Sequence, residues 1–216
     1  MHLAPLWISL KTTLTATAFA LVLGLAAARW RMGATRRWAG WVDTLLVLPL
    51  ALPPTVIGWM LLLLLGRRGW IGAVLQRFDL SVVFSWPATV ITAVVVAFPL
   101  VYLTAYGAFQ QIDRELYDAA KVTGASELSM FWHITLPLAW PGILSGALLG
   151  FTRALGEFGA TLMLAGNIPG KTQTLPLAIY FAMESGQERD AVLYSLVSAL
   201  ICFGVVAAQT RWWRRS

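Results

Sequence analysis

The chain has 216 residues, of which 58% are hydrophobic and only 12% charged, with a mean hydropathy of +0.71. A soluble domain carries about 25% charged residues, so too little polar surface is available here to cover a water-soluble globule, and the chain belongs in a bilayer. The formal net charge of +6 does not point to nucleic acid, because the basic residues flank apolar runs, where they read as topology signals and lipid-headgroup partners.

Five stretches are long enough to cross roughly 30 Å of hydrocarbon, which takes about 20 helical residues each. They cover residues 6–28, 42–65, 86–108, 138–165 and 191–210. The first is rich in threonine (Thr12, Thr13, Thr15, Thr17), which suits interhelical packing. Before its arginines stands one early positive charge, Lys11, and no small-residue cleavage site, so it reads as a retained span rather than a signal peptide. The second span contains Pro49, Pro53 and Pro54. Proline removes a backbone donor and crowds the preceding turn, so this span must kink or open, either to line a pathway or to fit its neighbours. Residues 66–80 suggest an amphipathic helix on the outer surface. The fourth span carries Gly142, Gly146 and Gly150 on one helical face, continued by Ala154. Such a stripe lets another backbone come close, within one subunit or at a dimer face. Residues 172–184 are apolar but too short to span, as a re-entrant or surface helix would be.

Trp30, Trp38, Trp41, Trp70, Trp86, Trp212 and Trp213 sit near span ends, as an aromatic belt requires. Cys202 stands alone in an apolar run, which excludes a disulfide framework. With the N-terminus outside, the inner side holds Arg29, Arg31, Arg36, Arg37, Arg114, Lys121, Arg211, Arg214 and Arg215. The outer side then holds Lys11, Arg67, Arg68, Arg77, Lys171 and Arg189, an asymmetry of nine to six.

Between the third and fourth spans lies the longest polar interval, from Asp118 to Pro137. Asp118, Ala119 and Ala120 favour helix, Gly124 interrupts it, a second short helical stretch through Ala125, Ser126 and Glu127 runs to Phe131, and Pro137 marks a new start. A helix–Gly–helix module between two spans suits docking better than slack connection. The pattern Asp118-Ala119-Ala120, three residues, Gly124, nine residues, Ile134, one residue, Leu136-Pro137 resembles the EAA loop of ABC importer permeases, with Asp where Glu is usual. The resemblance implies coupling helices, here residues 113–137, seated in a groove of a cytoplasmic ATPase.

Arg153 and Glu157 lie in the fourth span, one helical turn apart. Charges in hydrocarbon cost several kcal/mol unless paired or wetted. They pair with each other and lock the helix, or they line a pathway or gate in which Arg153 attracts an oxyanion and Glu157 restrains it. Residues 153–180, RALGEFGATLMLAGNIPGKTQTLPLAIY, resemble the corresponding stretch of molybdate transporter permeases. Sulfate permeases share the Glu-Phe-Gly core at 157–159 and diverge after it. The resemblance implies an all-α integral membrane fold of about five spans, N-terminus out and C-terminus in, forming one transmembrane domain over 1–216. It further implies a homodimeric pore, two cytoplasmic ATPase subunits that hold ATP and Mg²⁺, and a periplasmic protein that delivers the oxyanion. This chain itself is then expected to carry no cofactor and no catalytic or metal-binding residue, and to contact lipid but no nucleic acid. Sulfate, thiosulfate or tungstate are alternative substrates, and a self-sufficient channel or ion-driven transporter is the alternative of a different class.

Two motifs are set aside. Residues 165–172, ending Gly170-Lys171-Thr172, satisfy a relaxed phosphate-loop pattern. However, an apolar helix precedes it where a strand is needed, and Pro169 removes an amide that would face phosphate. His2 and His133 cannot form a metal site together, and no Ser/His/Asp arrangement stands on a recognisable scaffold.

Overall fold

The computed structural model describes residues 2–33 and 36–213, without the side chains of Arg36, Arg37, Trp212 and Trp213. The expectations placed on those four side chains, and on Arg214 and Arg215, lie outside the described residues. In chain order the helices are α1 (Ala4–Gly33), α2 (Arg36–Ala51), α3 (Pro54–Leu65), α4 (Trp70–Gln76), α5 (Trp86–Gln110), α6 (Arg114–Val122) and α7 (Glu127–Met130). A π-helical turn, Phe131–Thr135, leads into α8 (Leu136–Leu155), followed by α9 (Gly159–Ala165), α10 (Leu175–Glu184) and α11 (Glu188–Trp213). Among the described residues, four helices are long and apolar enough to cross a membrane, and α2 with α3 makes a fifth span if the bent pair counts as one.

The centre is α5, clasped by α1 on one side and α8 on the other. Lipid is as apolar as leucine, so helices associate here by close packing of small residues. Ala16 and Ala20 of α1 meet Ala93, Ala97 and Val101 of α5, together with Ala154 of α8. A Cβ on Gly24 would lie 2.8 Å from Val101 Cγ1. The glycine row of α8 faces the other flank of α5: Gly142 abuts Ala108, Gly146 abuts Thr104, and Gly150 abuts Val101. The threonines of α1 are used as hydrogen-bonding anchors. Thr12 Oγ1 lies 3.0 Å from Thr89 Oγ1 and accepts from Trp86 Nε1 at 3.0 Å.

The proline-rich second span is two helices, with the chain bent by 112° between them. Pro53 has extended backbone (φ −55°, ψ 136°) and Pro54 opens α3. A residue preceding proline is driven out of the helical region, while proline itself suits the first turn of the next helix. The predicted outer helix over 66–80 reduces to the seven residues of α4, whose Gly72 sits directly against the Gly66 carbonyl.

Two boundaries differ from the sequence reading. Pro137 starts nothing new, because one continuous helix of 29 residues runs from Glu127 to Leu155. The Leu136 N–H reaches back five residues to the Phe131 carbonyl, making a wide turn just where the Pro137 ring would crowd a regular one. The predicted span 138–165 is also interrupted: α8 ends at Leu155 and α9 starts at Gly159. Helix α10, ten residues long, is too short to span. Its first amide, Leu175 N–H, donates to Ser9 Oγ at 2.6 Å, and it packs beside Tyr194 and Val197 of α11 and Leu6 of α1.

Candidate functional site: a capped elbow and a broken helix

The module at one end of the bundle is built from strong local signals. Asp113 caps α6, its carboxylate accepting the Glu115 N–H at 3.0 Å. At the other end the Gly124 N–H donates to the Lys121 carbonyl at 3.0 Å, and the Ala125 N–H to that of Ala120 at 3.1 Å. This is a Schellman closure with glycine at its left-handed position, φ +80°. A Cβ on Gly124 would meet nothing within 4 Å, so the glycine is required by backbone conformation and not by space. Two residues on, Ser126 Oγ accepts the Ser129 N–H at 3.2 Å and caps α7.

The elbow is braced from behind. Tyr117 OH is hydrogen-bonded to Thr135 Oγ1 at 2.8 Å, and the Phe109 and Phe131 rings meet edge to face at 6.0 Å. Its front is open: Asp118, Ala119, Gly124, Ser126 and Glu127 are exposed, and Ala120 and Ala125 half-buried. Val122 is 89% and Leu128 60% exposed, an apolar ridge set among charges. Ile134 and Leu136 are half-buried within the continuous helix, with Pro137 exposed beside them.

The second feature is the break between α8 and α9. Glu157 is 2% exposed. One oxygen, Oε2, takes the Arg153 guanidinium at 2.9 Å, while Oε1 accepts the Ala160 N–H at 2.8 Å. The carboxylate therefore compensates the cation at the end of α8 and an orphan amide at the start of α9, where the helix dipole also favours negative charge. Arg153 and Glu157 are paired, but across a break and not along one regular helix. Their neighbours include the bend of the second span: a Cβ on Gly159 would lie 3.1 Å from Pro54 Cβ, and one on Gly58 2.8 Å from Ala160 Cα. Pro54 thus packs against Gly159, two residues beyond Glu157, whereas Pro49 lies in the last turn of α2. Thr92 Oγ1, 2.9 Å from Thr161 Oγ1, ties α9 to α5.

Sequence reasoning missed two aromatics here. The Phe158 ring, inside the break, lies 5.2 Å from that of Tyr180 on α10, which is 43% exposed. No spacing rule links positions so far apart in the chain. The phosphate-loop look-alike closes on itself: Thr172 Oγ1 accepts the Ile168 N–H and donates to the Gly166 carbonyl, both at 3.0 Å. Its hydroxyl is consumed by its own loop.

A helical bundle with a broken inner segment, a bent span against it and a rigid exposed elbow defines a transport permease subunit. The chain belongs to the family described as binding-protein-dependent transport system inner membrane component, whose model matches residues 20–213, and it is a multi-pass protein of the cell inner membrane. It is 48% identical over 163 residues to the molybdenum transport system permease protein ModB of Haemophilus influenzae, covering 71% of each chain. It is 40% identical over 193 residues to the ModB of Escherichia coli, covering 88% of this chain and 84% of that one. Among solved structures, the MetNI methionine ABC transporter matches over 98% of this chain and 94% of that chain, with a TM-score of 0.75 at 16% identity, a likeness of fold.

Proposed function

We propose that this chain is the membrane-spanning, non-catalytic subunit of an ATP-driven importer for molybdate. It works as two copies of one transmembrane domain, with two cytoplasmic ATPase subunits holding ATP and Mg²⁺, and receives the oxyanion from a periplasmic binding protein. The elbow at 113–137 carries this reading. It presents Asp118, Ala119, Gly124 and Glu127 outward on a frame closed at both ends, as a part that transmits force requires. The choice of molybdate rests on relatives named as molybdenum transport permeases, at 48% and 40% identity.

Orientation follows from charge. Arg29, Arg31, Arg114 and Lys121 line one cavity of about 1290 Å³ at the elbow end, with Trp30 and Trp38. Basic residues concentrate on the cytoplasmic side, which puts the elbow where an ATPase can reach it. When the ATPases close on ATP, their grooves carry the elbows along. Because Glu127–Leu155 is continuous over 29 residues, about 43 Å of helix, the movement arrives at the Arg153–Glu157 break. There Arg153, 29% exposed, is the cation available to an oxyanion, and Glu157 holds it at other times.

The test is molybdate uptake by the permease reconstituted with its partner ATPase and binding protein. Gly124→Asp places a charge on the docking surface at a left-handed position that Asp and Asn tolerate comparatively well. Uptake should be abolished in a protein that still folds, while Gly124→Asn retains most of it. Normal uptake by Gly124→Asp, or uptake by the chain alone without an ATPase, would overturn the reading. Competition by sulfate, thiosulfate or tungstate in the same assay fixes the substrate.

A further inference from the structure

The last two turns of α1 carry two arginines that hold different parts of the molecule. Arg31 Nε donates to both carboxylate oxygens of Asp43, at 2.8 and 2.9 Å. The Tyr102 hydroxyl donates to the same carboxylate at 2.5 Å. Asp43 lies on α2, Tyr102 on α5, so three helices meet at one acid. Behind them Phe98, Tyr102 and Tyr106 form a nearly parallel stack with centroids 6.1 and 6.0 Å apart. Arg31 also lies 5.3 Å from the Tyr106 ring centre.

Arg29, two residues earlier, points to the elbow instead. Its guanidinium sits 4.4 Å over the Phe131 ring, and its Nη2 is 3.5 Å from the Glu127 carbonyl. Glu127 opens α7 and Phe131 opens the π turn, so this grip falls on the elbow itself.

Helix α2 needs such a hold. Trp38, Trp41 and Leu45 are 71%, 76% and 66% exposed, and α2 packs chiefly on α5. An acid in an apolar helix is costly unless paired, and although Arg31 and Asp43 are 18% and 30% exposed, the forked two-oxygen contact fixes a single geometry between the two helices. Asp43 is therefore a directional fastening on an otherwise lightly held helix.

We infer that the end of α1 is a yoke joining α2 to the coupling elbow, so that displacement of the elbow moves the inner half of the bent second span together with α8. The inference rests on the reading that an ATPase drives the elbow. Arg31, Asp43 and Tyr102 act as positioning residues: their role is to make two helices move as one.

The experiment measures molybdate uptake and ATP hydrolysis side by side in proteoliposomes holding the full transporter, supplied with its binding protein. Asp43→Asn and Arg31→Gln should each lower molybdate carried per ATP hydrolysed by about fivefold or more, a usual coupling factor, while hydrolysis per assembled complex holds. The double variant should lose no more than Asp43→Asn alone, because that change already removes the contact to Arg31. Tyr102→Phe and Arg31→Lys, milder changes that keep the fold and the charge, should fall between these and the parent. An unchanged ratio in both single variants overturns the yoke, as do losses that multiply in the double variant. So does a fall in uptake and hydrolysis together, in proportion to assembled complex, which is what simple misfolding produces. A parent transporter that imports molybdate with no hydrolysis of ATP overturns the driven-elbow reading and this inference with it, whereas coupled variants beside a coupled parent overturn the yoke alone.

Discussion

Glu157 is buried with both oxygens committed, one to Arg153 and one to the amide that begins α9. Glu157→Ala removes both partners at once and leaves a cation and an amide unsatisfied, so it should cost about 1–3 kcal/mol. Glu157→Gln keeps an acceptor for Ala160 and should cost about half as much, while freeing Arg153 from its counter-charge. Thermal unfolding in detergent measures the first difference, and the substrate dependence of uptake reads the second. The pair was legible in the sequence as two charges in an apolar run, but the helix break was not. A carboxylate that satisfies both sides of an interruption leaves the hydropathy pattern intact. Asp43 shows a different blindness. It is the sole acid in residues 38–66, so its need for a partner could have been read, but Arg31 lies on another helix and no spacing announces it.

The contact between α5 and α8 is set by absent side chains. The glycine row was visible at a four-residue interval, and what the row faces came from the fold: Ala108, Thr104 and Val101 of α5. Gly146→Val would drive a Cβ into Thr104 Oγ1 and its backbone neighbourhood, an overpacking that should destabilise by about 1–3 kcal/mol. Gly107→Ala on α5, where nothing lies within 4 Å of the added carbon, should change stability by less than about 1 kcal/mol. Equal midpoints for the two variants in a detergent melt would mean that α8 does not pack along this row. The elbow is the best-encoded element, since its caps are local chemistry: Asp113, Gly124 and Ser126 each stand where a helix end needs them. The π turn behind it had no such signature beyond Pro137, because a widened turn conserves composition and changes only count.

Hydropathy located the four long apolar helices and the bent pair found among the described residues, because burying apolar length is the one demand that sequence states directly. It could not tell a straight span from the 112° pair, nor foresee how α10 seats itself against Ser9 and Tyr194, since both depend on neighbours. Sidedness is testable on the whole molecule. With Cys202 replaced by alanine, a membrane-impermeant maleimide applied to intact cells should label Ser185→Cys and spare Ser126→Cys, both exposed positions. Labelling of Ser126→Cys from outside would invert the topology. The wide turn at Phe131–Thr135 sets a phase between two surfaces, the face that meets α5 and the face offered to the cytoplasm. Each residue advances a helix by about 100°, so excising one residue there would leave the glycine row seated and swing the elbow a quarter of a circle or more away from its dock. Chain length in this short stretch is thus a calibrated dimension. Insertions that an outer loop would absorb should here silence a transporter whose every side chain remains in place.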